Sequence, residues 1–147
     1  MPATTDAHDL CDPVVSLRLR DDPRAPGRVR AVLREVFRAW MVDEDAGSDG
    51  VVMASELVTN ALTHAPGPYG LDVWARGAPD GTPSLRCAVS DGGPPVPLFD
   101  RAEAAAETDP AAAGGRGLLL VRRLSAGRCG IRPLAPGKAV WFAVAIA

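Results

Sequence analysis

Long apolar runs are missing from this sequence: none approaches the roughly 20 residues that span a bilayer, so no membrane segment is expected. Met1 to Asp12 also lacks the basic start and apolar stretch of a secretory leader. Cysteine is scarce and scattered. Cys11, Cys87 and Cys129 are odd in number, far apart, and show neither C-x-x-C nor Cys/His metal spacing. That excludes a disulfide framework and a zinc ribbon, and leaves reduced thiols in a cytoplasmic protein as the expectation. Lysine is nearly absent: fifteen of the sixteen basic residues are arginine, and eighteen acidic residues set the formal charge at -2. Without a charge imbalance there is no sign of the basic face that marks a dedicated nucleic-acid binder. What the chain does have is 147 residues, 47% of them hydrophobic, enough for one packed core.

Residues 1–13 read as a flexible N-terminal tail and 14–147 as one domain. Val14 to Arg20 alternates apolar and polar residues, the period of a half-buried strand, until Asp21-Asp22-Pro23 breaks it. Val29, Val32, Leu33, Val36, Phe37 and Trp40 then recur at helical spacing, with arginines on the outside. Trp40, at the end of that stripe, reads as core or interface. Asp43 to Asp49 reads as a polar link, with Ser48 or Asp49 capping a second helix that stops before Pro66. Tyr69 to Arg76 and Leu85 to Ser90 read as strands. Asp91 to Gly115, rich in Gly, Pro and Ala, reads as one long loop, a candidate lid. Gly117 to Leu124 reads as a helix, and Arg128 to Leu134 and Ala139 to Ile146 as closing strands. Trp74 and Trp141 fall on strands, where packing is the expected role, and Arg122-Arg123 reads either as a pair for an acidic partner or, as is commoner, as solvated surface. This order predicts an α+β fold, a two-layer sandwich whose mixed, mostly antiparallel sheet is covered on one face by helices.

Three short elements carry chemistry. On the second helix Glu56, Asn60 and His64 are spaced four apart and share one face, while Leu57, Val58, Ala61 and Leu62 cover much of the rest. An amide oxygen is a hard ligand suited to Mg²⁺, and a carboxylate one turn away can take a proton from an attacking hydroxyl. Such a stripe alone is equally a solvated face. Asp91-Gly92-Gly93-Pro94 follows an apolar strand; its carboxylate can accept from an exocyclic amine, and its glycines admit a flat ring. Alone it is an ordinary turn sequence. Gly114-Gly115-Arg116-Gly117-Leu118 opens a helix, where free amides face an anion. It lacks the Lys-Ser/Thr of a Walker loop, and it lies too late in the chain for a dinucleotide fingerprint.

Taken in order, these elements resemble the N, G1 and G2 boxes of the Bergerat-fold (gyrase and histidine-kinase type) ATPases, and most nearly the small anti-sigma-factor serine/threonine kinases. The matching residues are Glu56-Leu57-Val58-Thr59-Asn60-Ala61-Leu62-Thr63-His64-Ala65, Asp91 to Gly93, Gly115 to Leu118, and Gly137 to Phe142. The resemblance implies ATP and Mg²⁺ as cofactors. It implies Asn60 as the metal ligand and Glu56 as the catalytic base acting on a partner's serine. Asp91 would hold the adenine amine, Gly93 would shape its pocket, and Gly115, Gly117 and the amides near Leu118 would enclose the phosphates. His64 either touches the phosphate side or takes a core or orienting role; Arg116 either meets a phosphate or stays on the surface.

The implied partners are a sigma factor and an antagonist protein of the anti-anti-sigma type, with a homodimer through the first strand and helix, and neither nucleic acid nor membrane. Two positions depart from the family pattern. Ala139 stands where a threonine often supports the adenine site, and Ala111-Ala112-Ala113 replaces a charge ahead of the G2 glycines. Both bear on phosphotransfer more than on nucleotide binding, so a non-catalytic, nucleotide-gated binding module is the alternative. A methyltransferase or dinucleotide enzyme using Gly114 to Gly117 fits the element order poorly. A full histidine kinase is not expected, because no dimerisation helix bearing a phospho-acceptor histidine is visible.

Overall fold

A computed structural model describes residues 12–77, 81–109 and 116–146. The chain runs β1 (Val15–Leu19), α1 (Ala25–Ala39), α2 (Glu44–His64), β2 (Tyr69–Gly77), β3 (Pro83–Asp91), α3 (Leu98–Thr108), α4 (Arg116–Leu124), β4 (Cys129–Pro133) and β5 (Lys138–Ala145). The five strands form one sheet in the order β1-β2-β3-β5-β4, and each of the four pairings is antiparallel. The expected sandwich is present, with its sheet antiparallel instead of mixed among the described residues. The expectation for residues 1–11 lies outside the described residues.

Strand alternation sorts the sheet into two faces. Leu71, Val73, Leu85, Cys87, Val89, Val140, Phe142 and Val144 point to one side and join Val29, Leu33, Phe37, Val58, Phe99 and Val121 of the four helices in a single core. The other side carries Asp72, Trp74, Arg76, Arg86 and Trp141, all half-buried. There the Arg86 guanidinium lies 3.8 Å from the centre of the Trp141 ring, a cation–π stack that accounts for the packing role expected of that tryptophan. Cys87 is fully buried, and burial pushes its thiol up, away from the reactive thiolate.

Three local expectations are corrected. First, α2 begins at Glu44, not after Asp49: Asp43 is its N-cap and accepts from the Asp45 amide at 3.2 Å. The stretch read as a polar link is helix because its glycines pack. A Cβ on Gly50 would stand 2.7 Å from Phe37 Cε2, so the bare backbone lets α2 close on α1. Contact with the Phe37 ring outweighs the roughly 1 kcal/mol that helical glycine costs.

Second, the long loop contains a helix. In α3, Phe99 and Ala102 are buried, and Arg122 of α4 bridges Asp100 at 3.1 Å and Glu103 at 3.0 Å. These two carboxylates hold the Arg122 guanidinium above its usual range, and its plane covers the Phe99 ring at 5.5 Å. Arg122 is therefore a staple between α3 and α4, not solvated surface. Third, the core half of the Trp40 reading is corrected: the ring is 37% exposed and lies outside the core, which leaves the interface alternative.

Candidate nucleotide-binding site

Helix α2 is the spine of the site. Glu56 and Asn60 are half-buried on one face, and His64 is exposed one turn further on. Glu56 meets the start of α4: a Cβ on Gly117 would collide with the Glu56 carboxylate, so the two are in direct contact. At the other end of the stripe, Ala65 touches the turn after β3, where its Cβ lies 3.3 Å from the Cβ position of Gly93. From residue 56 to residue 65 a helix rises roughly 13 Å. The polar face thus leads from the N-terminus of α4, past Asn60, to Asp91.

The turn at Asp91 is held from below. Tyr69 donates its hydroxyl to the Ala65 carbonyl at 2.6 Å, fixing the chain as it leaves α2. The Gly92 amide then donates to the Pro66 carbonyl at 2.7 Å. Asp91 is 4% exposed and accepts twice through Oδ1, from the Gly93 amide at 2.7 Å and from Lys138 Nζ at 2.7 Å. Lys138 sits directly opposite Asp91 in the antiparallel β3–β5 register. Gly137, at φ 97°, turns the chain into β5, and a Cβ there would collide with the Asp91 carbonyl.

This geometry corrects the reading of Ala139. It pairs with Ser90, and alternation turns it to the opposite side of the sheet from Asp91. Lys138, not Ala139, adjoins the carboxylate. Sequence reasoning missed this lysine, although a signal was present. Lys138, Val140, Phe142 and Val144 alternate on the core face, so the first of them had to be a buried charge with a partner.

Helix α4 presents the amides of its first three residues, 116–118, without intrahelical acceptors. Leu118 is 5% exposed and roots that helix in the core, while Arg116 is exposed. Gly115 lies outside the described residues, as do the three alanines before it. A groove of about 620 Å³ lies elsewhere, between α1 and the start of α2, lined by Arg34, Phe37, Val42, Asp43 and Val51. It holds none of the candidate nucleotide-binding residues.

The arrangement suits a magnesium nucleotide. The bare Cα of Gly93 lets Lys138 Nζ and the Asp91 carboxylate close on the turn, which sets a carboxylate suited to an amine beside an ammonium. Among the described residues, no group of three His, Cys, Asp or Glu side chains is placed to cage a metal. One amide oxygen at Asn60 fits an ion that takes most of its shell from phosphates and water.

A search of curated protein sequences finds no match. Among solved structures, the RsbU and RsbW domains of Rv1364c from Mycobacterium tuberculosis superpose with a TM-score of 0.60 at 23% identity, over 88% of this chain and 31% of that one. The chain thus spans about a third of that relative's length. The SiaB–SiaC complex from Pseudomonas aeruginosa gives a TM-score of 0.51 at 12% identity, over 95% and 94%. At these identities the likeness is one of fold. The sequence family described as histidine kinase-like ATPase domain matches residues 19–142, and the chain belongs to that family.

Proposed function

We propose that this domain binds ATP with Mg²⁺ and acts as a serine/threonine protein kinase of the anti-sigma-factor type, gripping a sigma factor and phosphorylating an antagonist protein. The observation that carries this reading is the α2 stripe, with Glu56 against the N-terminus of α4 at one end and Asp91 past the other. Bound ATP and Mg²⁺ would supply the phosphoryl group and the neutralising charge. The chain's own residues do the rest. Asp91 accepts from the exocyclic amine. Asn60 offers its oxygen to the metal. The amides opening α4 hold phosphate oxygens. Glu56, beside them, takes the proton of a serine hydroxyl. Support for a protein partner comes from the SiaB neighbour, which shares this fold and was solved in complex with SiaC.

Calorimetric titration with ATP tests the binding half. Saturable heat is expected at millimolar Mg²⁺, and Asn60→Ala should weaken it by at least about tenfold, as should removing the metal with a chelator. No heat from the native protein with ATP or ADP rejects the reading. A second reading, nucleotide-gated partner binding without transfer, is favoured by Ala111 to Ala113 standing in the sequence where the family pattern has a charge ahead of the G2 glycines. It predicts the same titration and differs at Glu56.

A further inference from the structure

Lys138 is the single lysine of the chain and one of its most buried polar groups, with 6% of its side chain exposed against 2% for Asp91. An ammonium carries three donors, and among the described residues its one acceptor is Asp91 Oδ1 at 2.7 Å. A buried charge with donors to spare is costly unless a further acceptor arrives. Lys138 Nζ lies 2.7 Å from the Cβ position of Gly93, so the ammonium sits against the bare backbone of the turn that follows the carboxylate.

We propose that Lys138 is a specificity-determining residue that reads the ring nitrogen next to the purine amine, so that Asp91 and Lys138 together recognise a donor followed by an acceptor. The inference rests on the nucleotide reading above. Adenine presents an N–H donor at position 6 and a bare nitrogen acceptor at position 1. The Asp91–Lys138 pair presents their complements in the same order, an acceptor and then a charged donor. Guanine inverts the edge, setting a carbonyl against the carboxylate and an N–H against the ammonium; both contacts are repulsive. Because Asp91 already anchors the ammonium, the donor is ordered before the base arrives, which lowers the entropy cost of the contact.

The test compares ATP with 1-deaza-ATP, in which C–H replaces the position-1 nitrogen, by calorimetry on the native domain and on Lys138→Thr and Lys138→Arg. A hydrogen bond from a charged donor predicts about tenfold or greater preference for ATP in the native domain. The preference should persist in Lys138→Arg and collapse to within about threefold in Lys138→Thr. Native protein that binds the two nucleotides equally overturns the inference without any variant, even if Lys138→Thr fails to fold. An undiminished preference in folded Lys138→Thr overturns it as well, because Lys138 would then only neutralise Asp91. Absence of binding by either nucleotide is a different result: it removes the nucleotide reading itself.

Discussion

Asp91→Ala is expected to abolish ATP binding and to lower the melting temperature by roughly 10 °C. Both effects come from one carboxylate. Its side chain is 2% exposed and bonded to Lys138 Nζ at 2.7 Å, so solvent screens the pair little. Removing one member of a buried ion pair leaves the other uncompensated, at a cost of about 3–5 kcal/mol. The Gly93 amide loses its acceptor as well. The double variant Asp91→Ala with Lys138→Met separates stability from binding. Replacing both charges by apolar groups is often close to neutral, so the double variant should regain most of the melting temperature and still show no heat with ATP. Thermal melts and calorimetry on the two variants decide the matter. A single variant that melts like the native protein would mean that Asp91 and Lys138 are not a buried pair. A double variant that binds ATP would remove Asp91 from recognition.

Glu56→Gln has the largest expected effect on chemistry. The variant should bind ATP-Mg²⁺ as the native domain does and transfer phosphate about 10²- to 10⁴-fold more slowly, the range a positioned base contributes. Glutamine keeps the shape of the side chain beside Gly117 and cannot take the proton. Gly117→Ala provides an independent route to the same loss. Its new methyl group would collide with the carboxylate end of Glu56, a flexible side chain that can swing away at little cost to the fold. Labelled γ-phosphate counted on the cognate antagonist gives the rate. Transfer by Glu56→Gln at the native rate would end the catalytic assignment and leave the gated-binding reading standing.

The sequence made some of this site legible and concealed the rest, for identifiable reasons. Glu56 and Asn60 were visible because helical periodicity is local: residues four apart share a face whatever the tertiary structure does. The start of α2 was hidden because Gly47 and Gly50 are poor helix formers, and the side chains that close on Gly50, Phe37 and Val144, belong to other elements. Helix α3 was hidden for a related reason. Between Ala102 and Ala106 the sequence has little amphipathic contrast, and what holds the helix is Phe99 packing together with Arg122 from the next one. Ala139 was misplaced by one residue, and in a strand one residue is the whole difference between faces. The register that sets Lys138 against Asp91 joins positions 47 residues apart, which no short motif can express.

The seclusion of the one lysine makes the folded domain a poor target for amine chemistry. Acylating reagents, and enzymes that modify lysine, meet no exposed ε-amine on this surface while the turn after Asp91 stays packed on Lys138. Each acyl group found on Lys138 therefore counts a loosening of that turn, and the rate of its appearance measures how often the domain breathes there.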